Sequence, residues 1–476
     1  MSKSNLIKFA SCIIPAAIIW LLPVSMFGAE FVVTEQRMLA IFVMTALMWI
    51  LEPVPAWVTS TLAILLMLLT ISSGGIGPMV NGIDNSHLAS YKDLLGSYAD
   101  PIIILFLGGF VMAQAASECG LDKDLAAVIL KPFGRNSNLL LLGILLVTAV
   151  LSMFVSNTAT AAMMIAMIAP VLKTMPPDET GKTAIALAIP IGANIGGIGT
   201  PIGTPPNAIA LKYLNDPAGL NMNVSFGKWM AVMTPLMLVI LIVSWFILIK
   251  LFPFKHKTFK LNLKGDDRAK VEKWRYFTIS AVTFVTILLW ITDGITDVEV
   301  SIVALIPVTV LSVVGIFTAK DLQKLDWSVL WMVAGGFALG TGMIQTGLAN
   351  DIINAIPFSS MPTMLIIVAG GIICWILSTF ISNTAAAAML MPIMAVVGID
   401  IEPQLHDVGG VMVLLLGVGL SASYAMALPI STPPNSIAYS TGVIKTNQMA
   451  LTGVIVGIFS LVFTYLILFT IGEKIL

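Results

Sequence analysis

The sequence predicts an all-α polytopic membrane protein built as an inverted repeat, with about 11 transmembrane helices, two re-entrant hairpins and two broken helices. Three observations carry that prediction. The 476 residues are 58% hydrophobic and 10% charged, with a mean hydropathy of +0.99, whereas soluble domains carry about 25% charged residues. Apolar runs such as 231–251 and 451–471 reach the roughly 20 residues a helix needs to cross a bilayer, and they are continuous rather than alternating, which excludes a barrel. Finally, a short polar stretch, Ser156-Asn157-Thr158-Ala159, returns as Ser382-Asn383-Thr384-Ala385, each copy preceded four residues earlier by another serine, Ser152 and Ser378.

Taken in order, Lys3 and Lys8 precede an apolar run over 9–27, which reads as a retained first helix rather than a signal peptide cut near Ala29. Two short apolar segments, 38–51 and 56–71, flank Glu52-Pro53-Val54-Pro55. A polar loop over 72–100 leads to a helix from Pro101 to Ala116, then to charges at Asp122, Lys123, Asp124, Lys131 and Arg135. The next apolar stretch, about 139–172, is interrupted by Ser156 to Thr158, whose short polar side chains favour helix caps over helix interiors. It reads as a hairpin that enters and leaves the membrane on one side, a geometry tolerated at depth only against protein or a water-filled cavity.

The segment from about 184 to 214 contains Gly196-Gly197-Ile198-Gly199-Thr200-Pro201-Ile202-Gly203-Thr204-Pro205-Pro206-Asn207. Proline inside a helix costs about 3 kcal/mol. The helix therefore breaks, with Thr204 as the N-cap and Pro205 as the first residue of a second half-helix. A nucleotide loop is a poor reading, because neither the strand context nor the GxGxxG spacing is present. A helix over 226–251 then delivers the chain into its most basic region. Residues 250–275 hold nine of the 24 lysines and arginines, which marks a cytoplasmic loop. The chain thus divides into an N-terminal repeat (1–252), a basic linker (253–275) and a C-terminal repeat (276–476).

The second half repeats the landmarks of the first at a nearly constant distance. Gly108-Gly109-Phe110 returns 227 residues later as Gly335-Gly336-Phe337, and Thr204-Pro205-Pro206-Asn207 returns 228 later as Thr432-Pro433-Pro434-Asn435. Charge gives the orientation. The first hairpin lies between Lys131 and Arg135 on one side and Lys173 and Lys182 on the other, so it opens inward. The second, about 362–397, is bounded by loops without Lys or Arg and opens outward. A second broken helix, about 409–440, returns to Lys445. The N-terminus falls in the cytoplasm and the C-terminus outside. Opposed hairpins and paired broken helices are the pattern of secondary transporters, whose sites lie at the repeat interface near the midplane.

At that interface Ser152, Ser156 and Asn157, and likewise Ser378, Ser382 and Asn383, offer oxygens suited to sodium, with the carbonyls of Gly203 and Ser431 to complete two sites. Each freed helix start is equivalent to about half a positive charge, so four supply on the order of two, matching a dianion. No Lys or Arg lies within the four motif segments. An intramembrane enzyme would need a carboxylate pair, a Ser-Lys or Ser-His dyad or metal ligands in the apolar segments, and none is present. Cys12, Cys119 and Cys374 read as packing residues, and His87, His256 and His406 are too scattered for a metal site. A net charge of −1 speaks against nucleic acid as a partner, and nothing calls for an organic cofactor. A passive anion channel fits opposed hairpins less well than alternating access does.

At these residues the chain resembles the divalent anion/sodium symporter family, whose members carry di- and tricarboxylates or sulfate, and the resemblance covers essentially the whole chain. It implies a homodimer in the lipid of the cell membrane, with a scaffold holding the dimer while a transport domain moves as an elevator. It implies further that Ser156, Asn157, Thr158, Thr204, Ser382, Asn383, Thr384, Thr432 and Pro433 line the substrate site, with sodium beside each hairpin tip. Pro205, the mirror of Pro433, is placed with them. Two intact Ser-Asn-Thr motifs favour a carboxylate over sulfate. The expected function is sodium-coupled symport of C4-dicarboxylates; sodium-independent dicarboxylate exchange, known from one branch of the family, is the alternative.

Overall fold

The computed structural model describes residues 3–475 apart from 29, 135, 177, 217–218, 259–271 and 357. Most of the basic linker expected over 253–275, together with Ala29 and Arg135, therefore lies outside the described residues. Among the described residues the chain is all-helical, and strand-like pairing is limited to two isolated bridges, Ser72 with Ala89 and Asn136 with Thr258. The expected all-α class is borne out.

The first half contains α1 (Lys3–Leu21), α2 (Val33–Leu51), α3 (Ala56–Thr70), α4 (Pro101–Cys119), α5 (Leu121–Leu130), α6 (Ser137–Ser152), α7 (Asn157–Thr174), α8 (Gly181–Gly196), α9 (Pro205–Leu214) and α10 (Phe226–Leu251). The second contains α11 (Lys273–Ile291), α12 (Leu305–Val313), α13 (Trp327–Thr346), α14 (Leu348–Ala355), α15 (Thr363–Phe380), α16 (Asn383–Asp400), α17 (Gly410–Ser423), α18 (Pro433–Tyr439) and α19 (Thr446–Ile475). By length and composition, ten described helices can cross a membrane, α15 and α16 among them; α3, α6 and α17 are apolar but shorter.

Local chemistry explains the boundaries. Asp100 caps α4 by accepting the Ile102 N–H at 2.9 Å, and Pro101 opens the helix where its missing N–H costs nothing. The same helix ends at Gly120 with φ +78°, and α13 ends at the matching Gly347 with φ +95°. Both are left-handed C-caps that only glycine adopts without strain, and each turns the chain into a short helix, α5 or α14.

The core is built around the two broken helices. α17 is buried along its whole length and α8 at every position except Lys182, as expected for helices that are apolar all round. α6 packs on α8 and α15 on α17 within each half, whereas α7 packs against α18 and α16 against α9 across the halves. These crossed contacts bring the second arm of each hairpin to the half-helix of the opposite half. α11 and α12 lie outside, exposing Phe277, Phe284 and Val313.

Candidate functional site

The two hairpin turns are built alike. Ser156 caps α7 by accepting the Ala159 N–H at 3.2 Å, and Ser382 caps α16 by accepting the Ala385 N–H at 3.2 Å. Serine suits this position because its hydroxyl replaces a missing helical acceptor. One turn before each tip, the fully buried Ser152 and Ser378 point sideways at the broken helix. Their hydroxyls donate to Ala193 O and Ala422 O, both at 2.9 Å.

Each of these serines also meets the asparagine of its own tip. Ser378 Oγ lies 2.8 Å from Asn383 Oδ1, and Ser152 Oγ lies 2.6 Å from the Asn157 amide. A hydroxyl has one hydrogen and cannot donate to two acceptors at once. Turning the Asn157 amide resolves the conflict in the first half: its two amide hydrogens then reach Ser152 Oγ at 2.6 Å and Gly203 O at 3.2 Å, with Ala193 O, already served by Ser152, 3.3 Å from the nitrogen. The side chain of Asn157 thus sits among three oxygens from three different segments.

The breaks in the two long helices are held by the last residue of each Thr-Pro-Pro-Asn. Asn207 Nδ2 donates to Gly197 O and Thr200 O at 2.9 and 2.8 Å. Asn435 Nδ2 donates to Met426 O and Leu428 O, both at 2.8 Å. Unwound carbonyls buried this deeply need such donors, since an unpaired buried acceptor costs about 1–3 kcal/mol. The tip carbonyls are served in turn by hydroxyls from the breaks: Thr200 donates to Met153 O, and Ser431 donates to Thr379 O at 2.7 Å. Gly203 has no room for a side chain, because a Cβ there would fall 2.4 Å from Gly197 O.

The site residues expected from sequence fall into three groups. Ser152, Asn157 and Gly203 come together around the first tip, and Ser378 and Asn383 around the second, while the hydroxyls of Ser156 and Ser382 are engaged as caps. Ser431 contributes its side chain to the second tip. Thr204 and Thr432 occupy the N-cap positions of α9 and α18, followed by Pro205 and Pro433 at the first helical position. Only Thr432 makes the capping bond, accepting the Asn435 N–H at 3.3 Å; the Thr204 side chain makes none. Thr158 is exposed whereas Thr384 is buried.

Several contributors carried little sequence signal. Ala193 and Ala422 act through backbone carbonyls, which every residue has. Asn207 and Asn435 stood inside a repeated motif, and that repetition was the available clue. Asn194, 1% exposed, reaches across the halves to Thr432 Oγ1 at 3.2 Å and Asn435 Oδ1 at 3.4 Å, and nothing repeats it. Lys212, near the end of α9, is the cation nearest in sequence to the first break, but its charge is matched by Asp100 at 2.6 Å. That pair borders a cavity of about 550 Å³ that Asp216, Asp293 and Glu299 also line.

The family model for the sodium:sulfate symporter transmembrane region matches residues 3–475. A sodium-dependent dicarboxylate transporter, SdcS, of Staphylococcus saprophyticus is 30% identical over 478 residues, covering 92% of this chain and 86% of its own length. An uncharacterized transporter of Haemophilus influenzae is 32% identical over 434 residues, 87% of each chain. Another from Schizosaccharomyces pombe is 32% identical over 416 residues, and there this chain spans 45% of the relative's length. In fold the chain is similar to the Alcanivorax borkumensis YdaH transporter (TM-score 0.54, 14% identity, 80% of this chain and 87% of that one). It is also similar to Neisseria gonorrhoeae MtrF (TM-score 0.54, 11% identity, 94% and 96%). The polar tips, the held breaks and these likenesses agree: the chain is a multi-pass membrane protein that belongs to the divalent anion/sodium symporter family of transporters.

Proposed function

We propose that the chain is a secondary active transporter that carries a C4-dicarboxylate together with sodium, using one sodium site beside each hairpin tip. The observation that carries the reading is the oxygen cluster at the first tip. With the Asn157 amide turned one way its two hydrogens serve Ser152 Oγ and Gly203 O beside Ala193 O; turned the other way its Oδ1 joins them. Four neutral oxygens then face one another with a single hydroxyl hydrogen among them, an arrangement a small hard cation stabilises and nothing else present does. The second tip repeats the set with Ser378, Asn383 and Ala422. At the first tip the asparagine amide acts as a two-position element, donor to the protein without sodium and ligand with it; at the second, Asn383 Oδ1 already faces Ser378 Oγ.

The dianion is accommodated by the same residues. α7, α16 and α9 start at or beside the tips, and their unpaired N–H groups carry partial positive charge. The side chains of Asn157, Thr158, Asn383 and Thr384 supply amide and hydroxyl donors to carboxylate oxygens, and Thr204, Pro205, Thr432 and Pro433 form the facing wall. Lys212 is held by Asp100, so the remaining charge compensation falls to sodium, which is the physical reason for coupling the two fluxes. The relatives named as sodium-dependent dicarboxylate transporters support this assignment.

Alternating access follows from the repeat. The first hairpin opens to the cytoplasm and the second outward, with the N-terminus inside and the C-terminus outside. The hairpins, broken helices, α10 and α19 move as one body against a scaffold that includes α11 and α12. The apolar faces of α11 and α12, with Phe277 74% and Val313 80% exposed, meet lipid or a second copy in a homodimer. Succinate uptake into proteoliposomes tests the proposal, with a sodium gradient or with choline in its place. Uptake that needs sodium supports it; uptake that ignores sodium but requires dicarboxylate inside replaces symport by exchange.

A further inference from the structure

Hydrogen-bond accounting around the two breaks gives unequal answers. At the node formed by Thr432, Asn435 and Asn194 every side-chain hydrogen is used, and Asn194 Oδ1 is the one polar atom left without a partner. Thr432 Oγ1 donates to Asn435 Oδ1 at 3.1 Å and accepts from Asn435 N and from Asn194 Nδ2. Asn435 Oδ1 accepts from Thr432 and Asn194, while its Nδ2 serves Met426 O and Leu428 O. A threonine hydroxyl and an asparagine amide have no further capacity, so both side chains are fixed in one orientation.

The mirrored node, formed by Thr204 and Asn207 with Ser423 facing them, leaves gaps. The residue that matches Asn194 is Ser423, since each directly follows the carbonyl that accepts a hairpin serine, Ala193 O or Ala422 O. Ser423 is 1% exposed and its Oγ has no partner, and Asn207 Oδ1, the counterpart of the filled Asn435 Oδ1, has none either. Thr204 makes no capping bond. A serine hydroxyl is one bond shorter in reach than an asparagine amide and offers one hydrogen instead of two, and it does not close the mirrored node.

We infer that Asn194 is a positioning residue for transport: from the N-terminal repeat it clamps the start of α18 in the C-terminal repeat and so fixes Thr432 and Pro433 in the substrate site. The first-half node lacks this clamp, so α9 starts from a looser break. The two repeats are therefore not interchangeable halves, and substrate affinity depends on one buried amide that touches no substrate itself. The inference rests on the substrate site proposed above.

The test compares Asn194→Ala with Ser423→Ala in two measurements. In succinate uptake, Asn194→Ala raises KM about tenfold, the size expected for the loss of a buried hydrogen-bonded clamp, and leaves the maximal rate per folded protein within about twofold; Ser423→Ala changes neither. In hydrogen exchange, the amides of 435–439 exchange at least about tenfold faster in Asn194→Ala and at the unaltered rate in Ser423→Ala. An unchanged KM, or unchanged exchange at 435–439, overturns the inference. If the unaltered protein takes up no dicarboxylate, the functional proposal fails and exchange alone decides on Asn194. Asn194→Ser, carrying the residue of the mirrored position, replaces the alanine variant should that one not fold.

Discussion

The two half-sites share one plan and differ in how firmly it is held, and the difference separates what the fold requires from what this chain has specialised. Shared are the capping serine at each tip, the buried serine bonded to the opposite carbonyl, and the asparagine that bridges each break. These recur because any hairpin and any broken helix placed in a membrane must satisfy the same freed groups. Specialised are Gly203 against Ser431, Thr204 against Thr432, and Ser423 against Asn194. At the first break Asn207 Oδ1 has no partner and Thr204 makes no capping bond, although Gly203 leaves no space for a side chain; at the second, Thr432 and Asn435 use every hydrogen they have.

The largest effects test what is shared. Asn157→Ala and Asn383→Ala each remove the tip amide and one proposed sodium ligand, a loss of about 2–3 kcal/mol that lowers sodium-dependent uptake on the order of a hundredfold. Both variants should purify as folded protein; normal uptake by either one breaks the equivalence of the tips. Next in size is Gly203→Ser, which copies the second half onto the first. The new Cβ meets Gly197 O, so transport is lost, whereas Ser431→Gly gives up a bond to Thr379 O worth about 1 kcal/mol and retains part of its activity. Equal losses in the two would mean that the breaks are not distinct.

A smaller difference is expected in stability. Asn207→Ala and Asn435→Ala both orphan two buried carbonyls, but the second also strands Thr432 and Asn194. The melting temperature in detergent should therefore fall for both, and by about 4–8 °C more for Asn435→Ala, as two additional lost bonds of about 1 kcal/mol each imply. Identical shifts would remove the asymmetry on which the clamp depends.

The smallest effect concerns the loop between the first hairpin and α8. Buried Glu179 accepts the N–H groups of Gly181, Lys255 and His256 and the His256 ring at 2.7 to 3.1 Å. Burial opposes its charge, but the N–H of Lys255 and the remaining donors outweigh that and hold the carboxyl below the usual carboxylate range. A lowered folded pKa contributes stability that is complete above the unfolded value of about 4.3 and is lost as pH falls through the folded one. Glu179→Gln should lower the melting temperature by no more than about 2 °C at pH 7, and the gap to the unaltered protein should close below pH of about 4.

How much of this was legible in the sequence follows from which groups carry it. The bilayer imposes a one-dimensional constraint, so helix class and the apolar runs followed from composition and length. The tips were visible because Ser152, Ser156 and Asn157 are polar side chains in an apolar setting and recur at Ser378, Ser382 and Asn383. The carbonyls of Ala193 and Ala422 were invisible, since backbone oxygens leave no mark in the sequence. Asn194 escaped for a different reason: repetition was the guide, and Asn194 is the position at which the repeats part. Thr204 shows the limit of local rules, for it occupies the cap position that its sequence predicts and yet makes no capping bond.

The central claim is that each tip binds one sodium and that both are needed for the dicarboxylate. Its most direct test is the initial rate of succinate uptake against external sodium, for the unaltered protein and for Ser152→Ala and Ser378→Ala. Two coupled sodium sites give a sigmoidal curve with a Hill coefficient approaching about two, and a half-saturating sodium concentration raised in both variants. A rate that persists when choline replaces sodium, or a sodium curve untouched by either serine substitution, would contradict it.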